Sequence, residues 1–144
     1  MNDEQKDKIY NLLHANEFCV ISTNQPGLAP ESAVISFSEL EDMQLIFGTF
    51  QGSRKYQNIK QDNKVSLALG WDNTTKQTLQ IEGYAMEVND ADRLRIEDIH
   101  CKKNPSSERF RGKPEQRYFI VKPYWLKYSD YSVHPQEIWE LHFE

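Results

Sequence analysis

Apolar residues along the chain fall into short alternating runs parted by polar turns, with a few stretches at helical spacing instead. Residues 2–16 read as a helix, because Ile9, Leu12 and Leu13 make a narrow stripe on one face. Residues 18–23 follow as a strand, closed by Asn24-Gln25-Pro26-Gly27, whose Pro-Gly pair is a strong turn signal. After Pro30 a second strand is expected at about 32–37, then an acidic loop at 38–42 and a third strand at 44–49. A short helix over 54–61 ends at Asp62-Asn63, and a fourth strand covers 65–71. Beyond the polar loop 72–76 a long fifth strand spans about 78–88, with Gly83 marking a bulge or a close approach. Asn89-Asp90 opens a helix whose apolar positions Leu94, Ile96, Ile99 and Cys101 have only rough helical spacing. Residues 102–114 carry Pro105, Gly112 and Pro114 and read as a polar surface excursion. The sixth strand joins 117–121 to 124–128 across an interruption at Pro123. A last strand, 137–143, intersperses Ile138, Trp139, Leu141 and Phe143 with polar residues.

Short antiparallel strands with only three helices among them predict a mainly β fold, a small barrel rather than a βαβ sheet. No repeat, low-complexity segment or linker divides the chain, so residues 1–144 form a single domain. Hydrophobic residues make up 38% and aromatics 12%, a lean core with a heavy aromatic load. That balance points to apolar surface buried against a second copy of the chain. A net charge of −5 argues against nucleic acid as a main partner, since its backbone calls for a basic face. No basic amphipathic stretch fits a membrane surface, and no apolar run approaches the ~18 residues of a spanning helix. The charged start MNDEQKDKIY has no apolar signal core, and Cys19 and Cys101 lie far apart without metal spacing. Reduced thiols and a cytoplasmic location are expected.

The chemistry-bearing motifs are few. No P-loop or dinucleotide fingerprint is present, and His14, His100, His134 and His142 are scattered without ligand spacing, so no metal site is expected. The informative stretch is 45–69, LIFGTFQGSRKYQNIKQDNKVSLAL. Ser53 is a plausible N-cap for the helix that follows. Arg54 and Lys55 directly after the cap are unfavourable for stability alone, because the positive end of the macrodipole repels them by roughly 0.3–1 kcal/mol. An anion bound on the helix start by backbone N–H groups and both side chains explains them, and phosphate is the obvious one.

Phe47-Gly48-Thr49, then Gly52-Ser53-Arg54-Lys55, a short helix with Asn58, and Val65-Ser66-Leu67 on the next strand resemble the flavin-binding split-barrel family. Pyridoxamine 5'-phosphate oxidase is its type member, and short general stress protein 26-like proteins belong to it. The resemblance implies a six-stranded antiparallel split β-barrel of Greek-key type with flanking helices. It also implies a homodimer with FMN at the subunit interface. Arg54 and Lys55 match the cations for the FMN phosphate, and Ser53 opens the helix beneath them. Gly48 and Thr49 match the strand end along the ribityl chain and phosphate. Ser32, Ala33, Val34 and Ile35 match the strand whose backbone runs along the flavin ring. Gln77 or Thr78 falls where the oxidase places a glutamine near the flavin, and Trp139 falls in a segment that often crosses the dimer.

Departures from the oxidase are equally plain. Ala33 and Ser38 stand where it uses an arginine for FMN phosphate and a lysine for substrate, and the ending Trp139-Glu140-Leu141-His142-Phe143-Glu144 lacks its Arg-x-His motif. The expectation is an FMN-binding flavoprotein, an FMN-dependent oxidoreductase acting on a small molecule or a nicotinamide donor, without vitamin B6 oxidation. No catalytic residue is named. The alternatives are a non-catalytic flavin carrier or redox-sensing module, and a haem-binding or haem-degrading split barrel drawing on His134 or His142.

Overall fold

A computed structural model describes residues 1–144. Helix α1, Asp3–Ala15, starts in a capping box in which Asn2 accepts from the Gln5 backbone and Gln5 returns the bond. Its stripe of Ile9, Leu12 and Leu13 is buried against the barrel, as its spacing predicts. The strands are β1 Phe18–Thr23, β2 Glu31–Ser36, β3 Ser38–Glu39, β4 Leu45–Phe50, β5 Lys64–Gly70, β6 Gln77–Glu87, β7 Gln116–Asp130 and β8 Glu137–His142. Two further helices are α2, Arg54–Gln61, and α3, Asp90–Lys103.

All strands join one antiparallel sheet in the order β2-β1-β5-β6-β7-β4-β3, with β8 also on β7. The sheet curls on itself, and β2 comes back near β4 without a hydrogen-bonded ladder between them. The result is a mainly β, split-barrel fold with flanking helices, as expected, but its sheet holds eight strands rather than six, because the short β3 pairs with β4 and β8 pairs with the second half of β7. Strand β7 is long enough to serve three neighbours: its first half pairs with β4, its second with β8, and β6 runs along its other edge.

Three local expectations are corrected. β7 is continuous through Pro123, because the register with β6 shifts between Glu82 and Gly83 and leaves Tyr124 as the extra residue of a bulge. A Cβ on Gly83 would lie 2.5 Å from the Lys122 carbonyl oxygen, which is why glycine stands there. The acidic loop contains the short strand β3, whose Ser38 is buried. Residues 102–114 are not merely a surface excursion: Asn104 is fully buried and donates to the Phe37 and His100 carbonyls, leading into a 3-10 segment, Pro105–Phe110.

The core fills the barrel with Ile21, Phe37, Leu45, Phe47, Leu67, Leu79, Phe119 and Leu126, among others. On β1 and β5 burial alternates strictly, so their second face looks outward. β4 instead reads as a nearly unbroken buried run, because α3 covers its other side through Ile46, Ile96 and Tyr118. The rough spacing on α3 has a physical cause. Its buried face includes Glu97 and His100, while Leu94 is exposed. Glu97 is satisfied there by the Tyr118 hydroxyl at 2.9 Å, the Gly112 N–H at 3.2 Å and Arg93 at 3.4 Å.

No helix is long and apolar enough to cross a membrane. Cys19 and Cys101 are both buried free thiols, and burial pushes the Cys19 thiol up to about 12.

Candidate functional site

The start of α2 is held from three sides. Ser53 Oγ accepts the Tyr56 N–H at 3.1 Å and lies 2.9 Å from Thr49 Oγ1, tying the cap to the end of β4. Tyr56, buried edge-on against Phe119, donates its hydroxyl to Glu87 at 2.9 Å. Buried Asn58 donates to Thr23 Oγ1 and to Glu31 Oε1, both at 3.0 Å, which fixes the helix against the adjoining ends of β1 and β2. The backbone N–H groups of Arg54 and Lys55 have no intrahelical acceptor and point off the positive end of the helix.

The two cations differ. Arg54 is 76% exposed and places Nη2 2.7 Å from Glu31 Oε2. Lys55 is half-buried, pairs with no carboxylate, and has its pKa lowered by burial. A cleft of about 220 Å³ is lined by Thr23, Glu31, Ser32, Ala33, Arg54 and Lys55. A second, of about 250 Å³, occupies the seam between β2 and β4; it is lined by Val34, Ile35, Ser36, Gly48, Thr49, Phe50, Phe110, Gln116 and again Lys55. Lys55 is thus common to both. The structure brings Ser32, Ala33, Val34, Ile35, Gly48, Thr49, Ser53, Arg54 and Lys55 together at this corner of the barrel.

Gln77, Thr78 and Trp139 are not brought there. Thr23 pairs with Val65 at one end of β5, whereas Thr78 pairs with Gly70 at the other. Gln77 Nε2 donates to Asp130 at 3.2 Å, and its carbonyl accepts from Trp71. Trp139, half-buried, stacks on Tyr128 with ring centroids 4.8 Å apart. Within one chain these residues lie toward the end of β5 and β6 opposite to the one that Thr23 and the Arg54 cleft adjoin.

Sequence reasoning missed Glu31, Phe110 and Gln116. Phe110 arrives on the 3-10 segment and meets Phe50 edge-on at 5.3 Å. Gln116 lies over Gly48, where a Cβ would come within 2.4 Å of its Nε2. That glycine therefore makes room for a neighbouring side chain. The one available signal for Glu31 is its place opposite Thr23 across the Pro-Gly turn.

The histidines do not form a site. His100 is buried, with Nδ1 2.9 Å from Ser38 Oγ, and burial lowers its pKa to about 4. His134 and His142 are exposed and line neither cleft. No group of three or more His, Cys, Asp or Glu is placed to hold a metal ion.

The sequence profile of pyridoxamine 5'-phosphate oxidase matches residues 5–130. The chain belongs to the pyridoxamine 5'-phosphate oxidase family. No curated protein matches it. Among solved structures, a pyridoxamine 5'-phosphate oxidase-related, FMN binding protein from Nostoc punctiforme superposes with a TM-score of 0.76 at 18% identity, over 99% of this chain and 92% of that one. The general stress protein 26 of Bacillus anthracis gives 0.72 at 24% identity, over 96% and 99%. A heme binding protein from Mycobacterium smegmatis gives 0.76 at 9% identity; this chain is covered over 91%, but spans only 55% of that protein. At these identities the likeness establishes the fold.

A flavin nucleotide has a phosphate end and a planar ring end, and the donor set at α2 suits the first. Two backbone N–H groups without an intrahelical acceptor, the mutually bonded hydroxyls of Ser53 and Thr49, the Arg54 guanidinium paired with Glu31 and the unpaired Lys55 ammonium lie at this helix start, a donor set of the kind that takes an anion. The backbone of β2 along the neighbouring seam offers the flat wall a ring needs.

Proposed function

We propose that this protein binds FMN, with the phosphate on the N-terminus of α2 and the ring along β2, and acts as a cytoplasmic FMN-dependent oxidoreductase on a small molecule. The observation that carries the reading is Lys55: a half-buried ammonium with no internal anion, shared by the two clefts. When bound, the flavin would supply reversible hydride acceptance. This chain would contribute phosphate binding through Lys55, Ser53 and the first N–H groups of α2, and ring placement through Val34 and Ile35.

A homodimer completes the site in this reading. The outward face of β2, β1, β5 and β6 exposes Phe18, Val20, Val34, Tyr84 and Met86, beside small residues such as Ser22, Ser32, Ser66 and Ala68. A partner copy laid on that face covers the apolar side chains and brings its own Gln77, Thr78 and Trp139 toward the first copy's seam. Such an interface buries on the order of 2,000 Å² in total or more.

Vitamin B6 phosphates are poor candidates as substrates. Ala33 brings no charge to the cleft it lines, and Ser38 is buried against His100.

The test is direct. Purified protein should show the two-banded visible absorption of oxidised flavin after incubation with FMN, and bind FMN far more tightly than riboflavin, which lacks the phosphate. Equal affinity for the two would place the site elsewhere. Turnover with a nicotinamide donor separates an enzyme from a flavin carrier, which would bind FMN and turn over nothing.

A further inference from the structure

We propose that Glu31 is an internal competitor for the anion site of α2, its carboxylate holding Arg54 until a phosphate-bearing ligand takes its place. The inference rests on the phosphate reading above and concerns which groups that phosphate must displace.

The carboxylate is gripped by two donors of one helix. Oε1 accepts from Asn58 Nδ2 at 3.0 Å, and Oε2 lies 2.7 Å from Arg54 Nη2. The two halves of this grip are unequal. Asn58 is buried and also bonded to Thr23, so it holds the carboxylate in place whatever Arg54 does. Arg54 is 76% exposed on a flexible stem, and its pairing is the half that opens easily. The Asn58 bond first, and Arg54 second, keep the Glu31 pKa below the usual carboxylate range, so it is charged at neutral pH.

The charged groups around it are Arg54 and, on the wall of the same cleft, Lys55; Thr23 and Gln25 are neutral. The carboxylate, anchored on Asn58 a turn into α2, satisfies the guanidinium of Arg54 that a phosphate oxygen at the helix start would otherwise engage. Native Arg54 is therefore engaged, and Lys55 is the cation that meets the ligand first. A phosphate that recruits Arg54 has to break the pair and sit beside the carboxylate, a penalty that a dianion meeting two cations overcomes and a weaker anion does not.

The experiment is a double-mutant cycle read by flavin fluorescence, with FMN and riboflavin titrated into the native protein, Glu31→Gln, Arg54→Ala and the double variant. Glu31→Gln keeps an oxygen for Asn58 and releases Arg54. It should tighten FMN by roughly tenfold, and leave riboflavin unchanged. In the Arg54→Ala background the same change should tighten FMN by no more than about threefold, the residue of simple charge removal. Glu31→Ala should reproduce the pattern, and urea unfolding should show each variant folded. An equal gain in both backgrounds would mean general repulsion and overturn the competitor; no gain, or weaker binding, would overturn it as well. Either result leaves the phosphate reading intact provided FMN still outcompetes riboflavin. If no variant prefers FMN, the phosphate reading itself fails, and the competitor with it.

Discussion

Acid should destabilise this protein well above the pH at which its carboxylates titrate, and His100 is the reason. The ring is buried, with Nδ1 bonded to Ser38 and its edge toward Tyr118 at 5.9 Å between centroids. Desolvation, with a smaller contribution from Lys103 nearby, lowers its pKa from the ordinary 6.5 to about 4. A histidine whose folded pKa is depressed favours the folded state fully above the unfolded pKa. That stability is lost as pH falls toward the folded value, because the unfolded chain takes up the proton first. The gap from 6.5 to about 4, at about 1.4 kcal/mol for each tenfold step, amounts to roughly 3 kcal/mol in all. Some 2 kcal/mol of this is gone by about pH 5. Against a typical total of about 5–15 kcal/mol, that is a large fraction.

The control is His100→Gln, which keeps a polar partner for Ser38 and does not titrate. Urea unfolding at fixed protein concentration, from pH 7 to pH 5, should show the native protein losing about 2 kcal/mol more than the variant. The variant should start lower at pH 7, because the glutamine fills the space less well. Parallel pH profiles for the two proteins would show that His100 does not carry the effect, and with it that the ring is not desolvated as described.

Lys55→Ala should weaken FMN by about one to two decades, the worth of one charge-assisted hydrogen bond. Arg54→Ala should cost less than that, because Glu31 already engages Arg54; fluorescence titration giving the reverse order would contradict the unequal roles drawn from their burial. Gly83→Ala should destabilise by about 1–3 kcal/mol in chemical denaturation, since a Cβ there meets the Lys122 carbonyl at 2.5 Å, and a neutral effect would mean the bulge relaxes freely. Sedimentation at micromolar concentration should show a dimer, whereas a 17.0 kDa monomer would remove the two-chain site. Pyridoxamine phosphate should not be converted to pyridoxal phosphate; efficient conversion would show that charges other than those at positions 33 and 38 serve the substrate.

What the sequence by itself determined is what is local. The stripe on α1, the alternation on β1 and β5, the Ser53 cap and the extent of α2 all depend on neighbours within a few residues, so pattern and capping chemistry were enough to find them. The expectation of an anion at Arg54 and Lys55 was legible for the same reason: a cation after an N-cap opposes the helix's own dipole, whatever the helix packs against. Tertiary structure decided the rest, because it depends on residues far apart in the chain. Pro123 could sit inside one long strand only because Gly83 on another strand admits a bulge. Leu94 was left outside and Glu97 taken inside because Tyr118, Arg93 and the Gly112 amide were there to satisfy a carboxylate. The difference between Arg54 and Lys55, adjacent and alike in sequence, arises from β2: the register that sets Glu31 opposite Thr23 puts a carboxylate within 2.7 Å of the first cation and leaves the second unpaired. Burial and pairing across strands, which a single chain of letters does not encode locally, thus separate two like charges into an engaged one and a free one.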